Sequence, residues 1–194
     1  MHISPLTEDA MTWLLYDRAR SAGNRCFFRI KHNLSLVRDW YYAFAPDADL
    51  LEVTKDQTVV GYELKGQRKH RTGEFDWPAF YDGLGQALAY LIMPFVIKQG
   101  SESAFEGGSM DYVYLVNARS EAKERTDALD VIKLTPLGYI TMTPSGQITE
   151  LVKPRLNPLR SENARQHLLS NLDTLGEFSE QGKTFRKLKE KVAL

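Results

Sequence analysis

Apolar and polar positions along the chain switch between two spacings, and each switch predicts an element. Met11, Leu14 and Leu15 form a stripe at helical spacing, as a half-buried helix requires. Pro5 or Thr7 can open that helix, Glu8 and Asp9 fall in its first turn, where the dipole favours acids, and Gly23 can stop it. Residues 25–36 change to period two, with Cys26, Phe28 and Ile30 alternating against Phe27, Arg29 and Lys31, which predicts a strand. Two runs rich in Val, Leu, Tyr and Thr then flank the polar Lys55-Asp56-Gln57, the pattern of a hairpin with a three-residue loop.

Beyond the hairpin, Asp76 is predicted to cap a helix with Trp77-Pro78 in its first turn. Trp77, Tyr81, Leu84, Leu88, Leu91 and Phe95 lie along one side of it, and the mostly small Ala79, Gly83, Gln86, Ala87 and Tyr90 along the other. A helix apolar or small nearly all round is buried on two faces, and its glycines point to a close approach to a sheet. Pro94 should end or kink it. Residues 99–110 read as a Gly- and Ser-containing linker, 111–116 as a strand buried on both faces, 120–132 as a helix, and 138–142 with 148–152 as a hairpin around Pro144-Ser145-Gly146. Pro154 and Pro158 break the pattern, and 163–194 is helical with interruptions near Gly176 and Gly182. The expected organisation is an α/β domain over 1–152 and a helical C-terminal extension over 153–194. That extension could be a dimerisation arm, a DNA-contacting arm or a brace against the core.

Composition narrows the chemistry. With 194 residues the chain can bury a substantial core. Cys26 is the only cysteine, which excludes an internal disulfide framework and any multi-cysteine metal site, and the four histidines are scattered. No run approaches the roughly 20 apolar residues of a membrane span, and Met1-His2-Ile3-Ser4-Pro5 does not read as a secretory leader, so the expected protein is cytoplasmic with no membrane partner. Twenty-five basic and twenty-five acidic side chains give a formal net charge of zero, so only local clusters could serve as an electrostatic footprint. One such cluster, Arg68-Lys69-His70-Arg71, lies in an expected mobile loop after the hairpin. Another group includes Arg29 and Lys31, and a third closes the chain at Lys183, Arg186, Lys187, Lys189 and Lys191.

The hairpin brings charge together. With Lys55-Asp56-Gln57 as the loop, Val53 pairs with Val59, Leu51 with Gly61, and Asp49 stands opposite Glu63, with Lys65 further along the same face. Directly opposed residues have Cβ atoms roughly 4.5–5.5 Å apart, and like charges there repel. A hard divalent cation with oxygen ligands and retained waters, Mg²⁺ first among them, would relieve that repulsion. Lys65 would lie close enough to position a metal-bound water or a substrate phosphate.

Asp49 at the head of a strand and Glu63-Leu64-Lys65 on the next one resemble the signature of the PD-(D/E)XK nuclease superfamily. That is the restriction-endonuclease-like fold of restriction enzymes, Holliday-junction resolvases and RecB-type nuclease domains. Pro46-Asp47 spells the literal Pro-Asp, so Asp47 competes with Asp49; the register favours Asp49. Gln86-x-x-x-Tyr90 resembles the element on the helix after that strand in RecB-like nucleases, and Glu8 falls where many members carry a first-helix glutamate.

The resemblance covers residues 5–152 and implies an αβββαβ core, a mixed central sheet flanked by helices, here with an extra C-terminal hairpin and helices. It implies a Mg²⁺- or Mn²⁺-dependent deoxyribonuclease of the restriction, repair or recombination type. Asp49, Glu63, Glu8 and the carbonyl of Leu64 would hold the metal, Lys65, Gln86 and Tyr90 would complete the catalytic set, and Arg68, Lys69, His70, Arg71 and Lys31 would contact nucleic acid. The expected partners are DNA and, in a homodimer, a second copy of the chain. The rival reading is the same scaffold used as a binding module without cleavage. Trp40-Tyr41-Tyr42-Ala43-Phe44 could stack on bases or pack the hairpin's flank.

Overall fold

The structure is a computed structural model that describes residues 5–30, 47–94, 107–121 and 129–192. Lys31 and the aromatic run at 40–44 lie outside the described residues. Helix α1 spans Glu8–Ser21, and the Thr7 side chain accepts from the Ala10 N–H as its N-cap. Six strands follow in one sheet: β1 Arg25–Ile30, β2 Ala48–Val53, β3 Val59–Lys65, β6 Tyr112–Ala118, β7 Gly138–Met142 and β8 Ile148–Val152, in the spatial order β1-β2-β3-β6-β7-β8. β1, β2 and β3 form an antiparallel meander, β3-β6 and β6-β7 are parallel, and β7-β8 is an antiparallel hairpin. The sheet is therefore mixed and flanked by helices.

Every side chain of β3 is buried, because both sheet faces are covered. On one face lie α1 and α5 (Lys183–Val192), where Phe185 packs among Trp13, Tyr16 and Phe28. On the other lie α2 (Leu84–Tyr90) and α3 (Leu129–Lys133). That second face also receives Leu168 from α4 (Glu162–Ser170) and Leu172 and Leu175 from a 3-10 helix (Leu172–Phe178). The C-terminal segment thus contributes core side chains to both faces, which is the bracing role. Among the described residues no helix is long and apolar enough to cross a membrane.

Several expectations are corrected. The stretch after β3 is a small hairpin rather than an unstructured loop: β4 (Arg68–Lys69) pairs with β5 (Phe75–Asp76) and the His70 N–H donates to the Glu74 carbonyl. Asp76 is consequently a strand residue and caps no helix. Helix α2 begins only at Leu84, because Gly83 sits at φ +82°, a left-handed conformation that a helix interior excludes. It ends at Tyr90, short of Phe95, where the Leu91 and Met93 carbonyls accept from Asn157 Nδ2 and from Ser109. The predicted helix at 120–132 appears in its described part as Leu129–Lys133, and neither Ser120 nor Glu121 is helical. The strand expected at 111–116 starts one residue later and runs to Ala118.

Candidate active site

The register that brings the acids together is the one the sequence predicts. Val53 pairs with Val59, Leu51 with Gly61 and Leu50 with Tyr62. One step further, where the ladder stops, the Leu64 N–H donates to Asp49 Oδ2 at 2.9 Å. Asp49 is the acid that reaches across to β3; Asp47 is exposed, and its backbone carbonyl accepts from the Tyr90 hydroxyl at 2.8 Å.

Glu63 is 1% exposed and Lys65 7% exposed. Lys65 Nζ lies 2.5 Å from Glu63 Oε1, and the Tyr90 hydroxyl is hydrogen-bonded to Glu63 Oε2. Two glycines set these positions. A Cβ on Gly83 would fall 2.8 Å from Lys65 Cε and 3.0 Å from Leu115 Cδ1, so only glycine lets the turn before α2 close over the lysine stem. A Cβ on Gly66 would fall 2.3 Å from the Glu8 nitrogen. The start of α1 is held there by the Gln67 N–H donating to the Leu6 carbonyl and the Leu6 N–H donating to Gln67 Oε1. The N-terminus of α1 thereby meets the end of β3.

The electrostatics follow from that crowding. Burial pushes the Asp49 carboxyl up to about 8, and the charges of Glu63 and Glu8 add to the rise, against the Leu64 N–H and Lys65, which lower it. Burial also raises Glu63, although Lys65 and the Tyr90 hydroxyl oppose it. One ammonium thus serves two inward acids and the half-buried Glu8. A cluster with more carboxyl groups than cationic partners suits a hard divalent cation, whose own charge would displace the proton that burial favours on Asp49, and which keeps several waters and needs only one or two carboxylates. Asp49 and Glu63, with Glu8 beside them, fit that description. Among the described residues no three His, Cys, Asp or Glu side chains converge as a ready-made metal cage.

Other expected site residues are distributed unevenly. Gln86 is exposed on α2, whereas Tyr90 on the same helix reaches Glu63. Arg68, Lys69, His70 and Arg71 are exposed on the β4-β5 hairpin. Arg68 joins Glu8, Thr7, Asp9, Arg29 and Gln67 around a cleft of about 240 Å³, which places a basic side chain of the hairpin near Glu8. The side chain of Leu64 points into the opposite core, and only its backbone faces Asp49. Sequence reasoning missed Asn117 and Thr141, polar and 3% exposed on two adjacent buried strands. The available signal was Asn117 itself, an amide at the end of an apolar strand. Comparisons with family models, with curated proteins and with solved structures found no match.

Proposed function

We propose that this chain is a metal-dependent nuclease that hydrolyses phosphodiester bonds in DNA, on a restriction-endonuclease-like scaffold. The observation that carries the reading is the convergence of Asp49, Glu63 and Lys65 at the mouth of one hairpin, two acids against one ammonium. Structural ion pairs do not need an unbalanced acid. An active site that binds a cation does.

Asp49 and Glu63 would hold the divalent ion, with Glu8 adding negative charge nearby. When bound, that ion lowers the pKa of a water and stabilises charge on the transferring phosphoryl group. Lys65, fixed under Gly83, orients the nucleophile or neutralises a phosphate oxygen, and Tyr90 holds the Glu63 carboxylate in place. Water adds to phosphorus, one P–O ester bond breaks, and a phosphomonoester and a free hydroxyl result. Arg68, Lys69, His70 and Arg71 hold the flanking phosphates, an attraction that weakens steeply with salt.

The experiment is cleavage of labelled duplex, single-stranded and branched DNA, with and without Mg²⁺ or Mn²⁺, by the wild type and by Lys65→Ala. Metal-dependent cutting that falls about 100-fold or more in the variant is the expected result, the usual scale for losing a charge that stabilises the transition state. Binding without any cutting would replace the nuclease with a non-catalytic module.

A further inference from the structure

On the same sheet face as the acids is a pocket that hydrolysis does not use. β3, β6 and β7 run parallel, with Lys65 beside Asn117 and Asn117 beside Thr141. Strand spacing puts these two residues about 5 Å and about 10 Å from the Lys65 backbone. Asn117 and Thr141 line a pocket of about 160 Å³ together with Trp77, Phe80, Arg119 and Tyr139.

Its polar atoms are incomplete. Asn117 Nδ2 donates to the carbonyls of Phe80 at 3.2 Å and Ala79 at 3.4 Å. That fixes the amide, because the flipped form would press Oδ1 against two carbonyl oxygens. Oδ1 is therefore the free end. Among the described residues, Asn117 Oδ1, Thr141 Oγ1 and Arg119 Nε are buried without a hydrogen-bond partner. Unpaired buried polar atoms are few in native proteins and each is destabilising, so three around one pocket point to a ligand that completes them.

The three atoms describe that ligand. Asn117 Oδ1 takes a donor, Arg119 Nε needs an acceptor, and the Thr141 hydroxyl accepts either. Trp77, 38% exposed, and Phe80 and Tyr139, in edge contact at 5.5 Å, supply aromatic surface. A volume equal to about five waters' share of the liquid suits one small planar ring system. A flat heteroaromatic ring with neighbouring N–H donors and acceptors is a nucleobase, which recognition of single strands reads by stacking and edge hydrogen bonds.

We infer that this pocket takes one unstacked nucleobase of the strand being cut, next to the scissile phosphate. The substrate therefore enters single-stranded or locally opened rather than as intact duplex. The inference rests on the nuclease reading and specifies its substrate.

The test walks a single abasic site along a labelled single-stranded oligonucleotide and reads binding by anisotropy with Ca²⁺ in place of Mg²⁺. Cleavage in Mg²⁺ is mapped in parallel. One abasic position is expected to weaken binding about tenfold, the scale of losing one base stack. That penalty disappears in Trp77→Ala and shrinks in Thr141→Val, which carries the test if the tryptophan variant fails to fold. A protein that binds and cuts DNA but tolerates every abasic position equally has no base pocket here, and the nuclease reading survives. Trp77→Ala weakening all oligonucleotides alike also overturns the pocket. A chain that neither binds nor cuts any DNA takes both readings down.

Discussion

Strands β3 and β6 begin and end at buried acids, and the two ends are treated in opposite ways. Where they begin, Asp111 is 3% exposed and saturated. It accepts from the Val59 N–H at 2.8 Å, Arg160 at 2.5 Å and Arg165 Nε at 2.9 Å. Arg165 also donates to the Gln57 carbonyl, so the C-terminal helix α4 is tied to the hairpin loop. Where the strands end, Asp49 and Glu63 share Lys65 and have Glu8 nearby. At the first end two arginines serve the buried Asp111 and also reach the exposed Glu162; at the second, one ammonium serves two or three acids. The same two strands thus carry a fully partnered buried carboxylate at one end and an acid surplus at the other, and the proposed cation site rests on that contrast.

The largest effect belongs to the saturated end. Asp111→Ala removes the buried partner shared by Arg165 and Arg160, whose side chains are 14% and 30% exposed and which keep the exposed Glu162. Breaking a buried pair by removing one partner costs about 3–5 kcal/mol, and the accessibility of Arg160 puts the expectation near about 3 kcal/mol, read by urea denaturation. A loss under about 1 kcal/mol would mean that the two ends are not differently built.

The acidic end should respond with the opposite sign. Between about 4, where an ordinary aspartate ionises, and about 8, folded Asp49 holds a proton that the unfolded chain has lost. Its stabilising contribution is therefore complete below that window and gone above it. In EDTA the melting temperature should fall as pH rises from 4 to 8, and Glu63, shifted the same way, adds to the slope. Asp49→Asn, which can still accept from Leu64, should flatten the slope, raise the melting temperature at pH 8 and abolish stabilisation by Mg²⁺. A variant as Mg²⁺-responsive as wild type would remove Asp49 from the cation site.

What the sequence made legible follows the range of the forces involved. The β2-β3 register was readable because a three-residue loop and a strict period of two leave one pairing, and the acids follow from it. Helix α2 was overextended because Trp77 and Tyr81 have helical spacing, while the left-handed turn at Gly83 and the β4-β5 pairing depend on contacts with Lys65 and Arg68 that spacing does not show. The Asn117-Thr141 pocket needed the parallel β3-β6-β7 order, which no local pattern encodes. Asp111 was readable only as a strand residue, since its partners lie 49 and 54 residues away.

Tyr90 and Gln86 give the smallest effects and the finest test. Both sit on α2, four residues apart, yet only Tyr90 touches the acids: its hydroxyl stands between Glu63 and the Asp47 carbonyl, with one proton for the two acceptors. Tyr90→Phe keeps the buried ring and removes the group that orients Glu63. Groups that hold a metal ligand in place typically change metal affinity 10- to 100-fold, and the lower figure, about tenfold in the Mg²⁺ midpoint, is expected because Lys65 still holds the other carboxylate oxygen. Gln86 is exposed, so Gln86→Ala should leave both the Mg²⁺ midpoint and the melting temperature unchanged and weaken DNA binding by less than about tenfold, the worth of roughly one neutral hydrogen bond. If Gln86→Ala shifted the Mg²⁺ midpoint as far as Tyr90→Phe, the exposed face of α2 would belong to the acid cluster, and the boundary between cation site and nucleic-acid surface would have to be drawn beyond it.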